Sequence, residues 1–325
     1  MEYRRLGHTG LKVPLLGLGG NTFGKHFQFG KYNDEAASIA LIHYAAELGI
    51  NQIDTGDLYS AGLSETYRGK AIAGRRADYV IASKVGQAVG AGPNDTGLSR
   101  RHIMASIEGS LKRLNTDYVD IYYAHKPDPH TPIAETLCAF DDIVRQGKAR
   151  YVACSNYAGW QVAQASELAR RHHWAPFTVS QSPYNLLERE IEAELIPACV
   201  EYGMGIVAYW PLAQGVLAGR YRPGEPIPPG TRAWQNDSRL LARQMAKRNL
   251  YIAARLGEWA AQHGHQLSEL ALAWVAAKPH IACIVTGVTS AEQLKLNVEA
   301  LEWTLSAGQV AEVEAIVTEG REAES

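Results

Sequence analysis

Short continuous apolar runs alternate along the chain with longer stretches in which apolar residues recur every three or four positions. The runs fall at residues 15–18, 50–53, 79–82, 118–123, 149–153, 177–179, 205–208 and 283–285. Such runs, with no polar alternation, are what parallel strands buried on both faces require. Ahead of them, residues 2–5 and 11–13 flank Gly7-His8-Thr9-Gly10, which predicts a small hairpin with a glycine-rich turn.

The intervening stretches carry helical signals. Residues 35–48 place Ile39, Ile42 and Ala46 on one stripe. Residues 99–114 open on Ser99, an N-cap residue type, and repeat Ile103, Ile107 and Leu111. Thr131-Pro132 opens a third helix, proline being tolerated in a first turn. Residues 158–171 and 188–200 follow. Eight strand-then-helix units predict an α/β fold, the (β/α)8 TIM barrel, with an open doubly wound sheet as the alternative.

Two regions break the rhythm. Residues 220–239 are rich in proline and glycine and have no apolar period, as expected of a functional loop or lid. Residues 240–263 and 267–277 then predict two helices where a plain barrel needs one. Residues 306–317 predict a closing helix, and 319–325 a frayed tail.

Composition narrows the classes. The chain has 325 residues, with 32 Lys plus Arg against 34 Asp plus Glu, a net charge of −2. This excludes disorder by composition and gives no overall attraction to nucleic acid or anionic membranes. Length alone allows two domains of about 150 residues. The repeating unit instead predicts one barrel domain over 1–325, with its ordered core at about 2–317. The N-terminus lacks the apolar segment of a secretory signal, and no run is long enough to span a membrane. Cys138, Cys154, Cys199 and Cys283 have neither a CxxC pair nor zinc-type spacing. They read as reduced structural thiols of a cytoplasmic protein, and no metal site is expected.

In a (β/α)8 barrel the strand C-termini build the active site. The polar residues following the predicted strands are Asp54 and Tyr59, Lys84, His125, Ser155 with Asn156, Gln181 with Ser182, Tyr209 with Trp210, and Gly287 with Thr289 and Ser290. Singly, each has an ordinary explanation: a capping aspartate, a solvated lysine, a loop aromatic. Jointly, they suit one chemistry. A tyrosine hydroxyl titrates near 10, and a neighbouring ammonium stabilises its phenolate. A carboxylate keeps that ammonium charged and oriented, and a neutral imidazole hydrogen-bonds a carbonyl oxygen. The four would polarise and protonate a carbonyl, while a hydride must come from a cofactor.

From about residue 2 to 317 the chain resembles the aldo-keto reductases, and in particular the branch of bacterial oxidoreductases and potassium-channel β subunits. The resemblance rests on INQIDTGDLYSAGLSE, the lysine of IASKVG, DYVDIYYAHKPDP, GKARYVACSNY, QSPYN, AYWPLAQGVLAGR and TGVTSAEQLKLNVEAL. It implies Tyr59 as general acid with Asp54, Lys84 and His125 completing a tetrad. It also implies NADPH or NADH across the barrel mouth. Ser155, Asn156 and Gln181 would hold the nicotinamide carboxamide, with Tyr209 stacked on the ring and Gly20, Asn21, Thr22 and Asp54 nearby. Trp210 would stand beside the cofactor, Pro211, Leu212, Gln214, Gly215 and Arg220 would line the pyrophosphate, and Arg232 would close over it. Gly287, Thr289, Ser290, Gln293 and Asn297 would hold the adenosine.

The chain departs from the family pattern at several positions. Trp210 stands where a serine often precedes the proline. Leu296 occupies an often acidic position, and Val288-Thr289-Ser290 lacks the basic residue that often meets a 2′-phosphate. NADPH remains the preferred expectation, with NADH the alternative that these departures keep open. GLGGNTFG, residues 17–24, resembles a dinucleotide-fold glycine motif, but Thr22 stands where its third glycine belongs.

For the substrate, Phe23 and Phe27, with Phe29, His26, Trp210 and Trp234, would wall a pocket above Tyr59 and His125, suiting a flat carbonyl compound or the corresponding alcohol. Oligomeric state is open, a homo-oligomer included. Two rival functions share these residues: a Schiff-base aldolase using Lys84, and a slow redox-sensing, cofactor-binding subunit of a partner protein.

Overall fold

The computed structural model describes residues 1–24, 32–234 and 243–322. Tyr3–Arg5 (β1) pairs antiparallel with Lys12–Pro14 (β2). The barrel strands are Leu16–Gly19 (β3), Gln52–Asp54 (β4), Val80–Val85 (β5), Val119–Ala124 (β6), Ala149–Ser155 (β7), Phe177–Pro183 (β8), Gly205–Tyr209 (β9) and Ile281–Gly287 (β10). All eight are parallel and close in sequence order, β10 pairing with β3. The TIM-barrel expectation holds and the doubly wound alternative does not. Gly17 and Gly19 lie inside β3, so the glycine motif builds a barrel strand.

Leu6 and Val13 of the hairpin pack into the barrel interior with Val80, Ile121, Val179 and Val207. The hairpin turn fits against the strand starts. Gly7 has φ +58°, and a Cβ there would stand 2.6 Å from the Thr178 carbonyl oxygen. One barrel end is thus plugged with apolar side chains, which leaves the opposite end, where the strands finish, for a site.

The described helices are Glu35–Glu47 (α1), Leu63–Ala71 (α2), Arg100–Leu114 (α3), Ile133–Arg145 (α4), Gly159–His172 (α5), Leu195–Glu201 (α6), Lys247–Gln262 (α7), Leu267–Ala276 (α8), Ala291–Glu299 (α9) and Ala307–Glu322 (α10). Ser99 caps α3, its hydroxyl accepting from the His102 N–H. α2 and α9 have no counterpart in the periodicity. The buried face of α2 is Ser64, Glu65, Arg68, Gly69 and Ala71, so it offers no apolar stripe to detect.

Three predicted boundaries are corrected. The helix expected at 188–200 begins at Leu195, because the Asn185 side chain accepts from the Leu187 and Glu188 N–H groups and folds that stretch into a turn. The helix expected at 240–263 is described from Lys247. The tail expected to fray is helical as far as Glu322, held by Arg255 to Glu319 at 2.8 Å and by Arg321 to the Leu187 carbonyl at 3.1 Å. Residues 220–234 form a loop without helix or strand, as expected, and 235–239 lie outside the described residues.

Candidate active site

Parallel pairing brings the last residues of successive strands to one rim. Asp54 stands beside Gly19 and Ala82, Lys84 beside Tyr123, Ser155 beside Gln181, and Pro183 beside Tyr209. Past β4 the chain turns through Tyr59–Gly62, where Ser60 and Ala61 both have φ 53°. That left-handed excursion folds the tyrosine back over the barrel mouth.

Lys84 is fully buried behind this turn. Its ammonium bonds one oxygen of Asp54, the Thr55 carbonyl at 2.8 Å and the Tyr59 hydroxyl at 3.4 Å. The other Asp54 oxygen accepts from the Gln181 amide at 2.9 Å. The His125 ring meets Tyr59 edge-on with centroids 5.8 Å apart, and its Nδ1 is buried without a partner. All four expected tetrad residues therefore meet in one corner.

Environment fixes their charge states. Burial works against the Lys84 ammonium, but Asp54 and then Tyr59 more than compensate, so the lysine titrates above its ordinary value. Such an amine is protonated and has no lone pair for a Schiff base, which disfavours the aldolase alternative. Burial, followed by repulsion from Lys84 and Lys126, pushes His125 down to about 3, leaving a neutral imidazole. For Tyr59, burial outweighs the pull of Lys84, and the phenol titrates above its ordinary value. Lys84 pulls it down, as expected, but removal from water is the larger effect and sets the net direction.

The corner opens into a cleft of about 610 Å³. Its lining includes Asp54, Tyr59 and His125 with Gly20, Asn21, Thr22, Ser155, Asn156, Gln181, Tyr209, Trp210, Pro211, Leu212, Gln214, Gly215, Arg220, Arg232, Gly287, Thr289, Gln293 and Asn297, all expected there. Asn156 links two strand ends, donating to the His125 carbonyl at 2.9 Å and accepting from the Tyr209 hydroxyl at 2.6 Å. The Gln293 side-chain oxygen accepts from the Thr289 N–H at 2.9 Å, which leaves its amide protons for a ligand.

Other expectations are not met. Ser290 does not line the cleft; its hydroxyl caps α9 by accepting from the Gln293 N–H at 3.2 Å. Phe23 is fully buried beneath the Arg68 guanidinium, 4.6 Å from its ring centroid, and is no substrate wall. Trp234 is exposed and absent from the lining. His26, Phe27 and Phe29 lie outside the described residues. Leu58, Gln87, Tyr221, Ser268 and Leu296 line the cleft without having been singled out for it. Gln87 lies two residues beyond β5, and looking past the first polar residue at that strand end would have found it.

The lining suits an extended dinucleotide. Two arginines come from the long loop, amide and hydroxyl donors gather at 289–297, and an aromatic ring stands near the tetrad. Glycines keep the walls flat. A Cβ at Gly20 would stand 1.9 Å from Arg68 Nη2, and one at Gly287 2.8 Å from Asn21 Oδ1. The buried Thr286 hydroxyl and His125 Nδ1 lack partners, which a ligand could supply. Among the described residues no group of His, Cys, Asp and Glu could hold a metal ion.

Comparison with known proteins agrees with this geometry. The model of the aldo/keto reductase family matches residues 15–318. The chain is 36% identical over 324 residues to a rice protein named probable voltage-gated potassium channel subunit beta, covering 98% of this chain and 97% of the relative. It is 33% identical over 332 residues to an Escherichia coli protein named L-glyceraldehyde 3-phosphate reductase, covering 98% and 93%. An uncharacterized oxidoreductase of Bacillus subtilis is 36% identical over 316 residues, covering 94% and 92%. With a barrel, a strand-end tetrad and a family match over nearly its whole length, the chain belongs to the aldo/keto reductase family.

Proposed function

We propose that the protein is an NAD(P)H-dependent oxidoreductase that interconverts an aldehyde or ketone and its alcohol, with Tyr59 as general acid. One observation carries this reading: a buried ammonium touches both Asp54 and the Tyr59 hydroxyl in a corner that opens on the cleft. Ser155, Asn156, Gln181, Tyr209, the two loop arginines and residues 287–297 would hold the cofactor, whose chemistry when bound would be hydride donation. Everything else falls to the chain's own side chains.

Neutral His125 hydrogen-bonds the carbonyl oxygen and orients it. Tyr59 gives its proton to that oxygen as negative charge develops there. Lys84 stabilises the phenolate left behind, and Asp54 keeps the lysine charged and pointed at it. Gln181 holds Asp54 from the other side. The reverse reaction uses the same groups, with the phenolate as base. A cytoplasmic setting and a single domain go with this reading, and the four cysteines are free thiols.

NADPH is favoured on the family resemblance; Arg220 and Arg232 line the cleft and would serve the pyrophosphate that both nucleotides carry, and residues 288–290 carry no cation. Fluorescence titration with NADPH and NADH, followed by turnover on a panel of aldehydes and ketones, tests this. Tyr59→Phe is expected to lower turnover at least a hundredfold with cofactor affinity unchanged. Near wild-type turnover in that variant would sink the assignment of the acid.

A further inference from the structure

Arg68 lies on the inward face of α2, fully buried and facing neither solvent nor cleft. Among the described residues no carboxylate is in ion-pair contact with it, and burial brings it down to about 10 against the attraction of Asp54 and Glu65. Its hydrogen bonds go mainly to backbone. Nη2 donates to the Asp54 carbonyl at 3.2 Å, and Nη1 to the Ser64 carbonyl at 2.9 Å and to the Ser64 hydroxyl. That hydroxyl in turn donates to the Gly20 carbonyl at 2.8 Å and lies 3.0 Å from Thr55 Oγ1. The guanidinium face covers Phe23 and fills the space where a side chain on residue 20 would begin.

A buried cation with only carbonyl and hydroxyl partners is a costly way to fill a hole, and an apolar side chain of similar shape is usually no less stable. This one stands between two segments that must keep a fixed spacing. Residues 20–24 follow β3, with Gly20, Asn21 and Thr22 lining the cleft, while residues 54–59 carry Asp54 and Tyr59. A rigid planar fork with donors in several directions can bridge them; a lysine cannot.

We propose that Arg68 is a positioning residue for the reaction, locking the Gly20–Phe23 loop against the segment that carries the proton donor. Gly20 is a glycine because the guanidinium occupies its side-chain space. The proposal rests on the carbonyl-reductase reading above, and it predicts coupling between two residues that lie far apart in sequence.

The test measures melting temperature, cofactor affinity by fluorescence, and kcat per cofactor-binding site. The proteins are the wild type, Arg68→Met, Arg68→Lys, Gly20→Ala and the Gly20→Ala/Arg68→Met double variant. Arg68→Met is expected to melt no lower than the wild type yet lose about tenfold or more in kcat, since small misplacements of reacting groups are that costly. Arg68→Lys stays slow, because it restores charge without the fork. Gly20→Ala is slow in the wild-type background and adds little to Arg68→Met.

A wild-type kcat per site in Arg68→Met, full recovery in Arg68→Lys, or additive losses in the double variant would each overturn the proposal. If Arg68→Met does not fold, Gly20→Ala decides alone, and wild-type kcat and affinity there overturn it. Tyr59→Phe is run alongside. Full turnover in that variant rejects the tyrosine reading, and the coupling of Gly20 and Arg68 in kcat still judges the positioning role.

Discussion

Asp57 sits two residues before Tyr59, buried, with no side-chain partner for either carboxylate oxygen. Burial first, and the nearby Glu65 second, push it up to about 7, while the Leu58 backbone N–H, then Arg113 and Lys84, pull it back only in part. The folded protein therefore holds a proton there that the unfolded chain releases near 3.8. Its contribution is fully present below about pH 4 and is lost as pH rises to about 7. His125 does the opposite. Its folded value of about 3 lies below the ordinary 6.5, so stability is lost as pH falls from about 6.5 toward 3. Each gap spans about three pH units at about 1.4 kcal/mol per unit, on the order of 4 kcal/mol. Between about pH 4 and 6.5 the two slopes offset one another. Asp57→Asn removes one of them. In that variant the melting temperature should climb with pH across this window while the wild type stays nearly flat. Above pH 7 the difference between variant and wild type should reach its maximum, several degrees in favour of the variant. Thermal unfolding followed by circular dichroism from pH 4 to 8.5 reads both curves, and any constant cost of the asparagine cancels in the comparison. Parallel curves would refute the reasoning, because Asp57 would then be ionised in both states.

Lys84→Met should cost at least a hundredfold in turnover, and it should destabilise the fold by about 3–5 kcal/mol because Asp54 is left buried with its main partner gone; kinetics and denaturant unfolding check the two effects. Trp210 holds φ 57° while lining the cleft. Trp210→Gly should therefore melt no lower, relieving a left-handed strain of about 1 kcal/mol, while KM for aromatic carbonyl compounds rises more than for small ones.

The barrel was legible because its strands are buried on both faces, so each leaves an unbroken apolar run, and the tetrad was legible because barrel geometry assigns the strand ends to the site. Legibility stopped where burial is polar. Helix α2 turns Ser64, Glu65 and Arg68 inward and so shows no stripe, and it was missed together with the arginine at its centre. Phe23 misled for the same reason. An aromatic after a strand looks like a pocket wall unless the buried cation stacked on it is known. Ser268 stands at the start of α8, one of the two helices inserted before β10, which periodicity reads as scaffold. Ser290 shows the converse, a hydroxyl in a binding motif that also has an ordinary structural use, capping a helix.

Charge states at the site lead to one more expectation. Reduction needs Tyr59 protonated and His125 neutral. Burial secures both: Tyr59 is held above its ordinary value and His125 near 3. Lys84 offsets part of that burial by stabilising the phenolate, which matters most once the proton has moved and a full charge sits beside the buried ammonium. Neither group changes protonation between about pH 5 and 9, so kcat for reduction should be flat over that range. Among the described residues, Asp57, titrating near 7 beside the tyrosine turn, is a group able to impose a step, and such a step must vanish in Asp57→Asn. A limb with a midpoint near 6.5 that survives in Asp57→Asn would mean that His125 titrates in working enzyme, and the neutral-imidazole role would have to be abandoned.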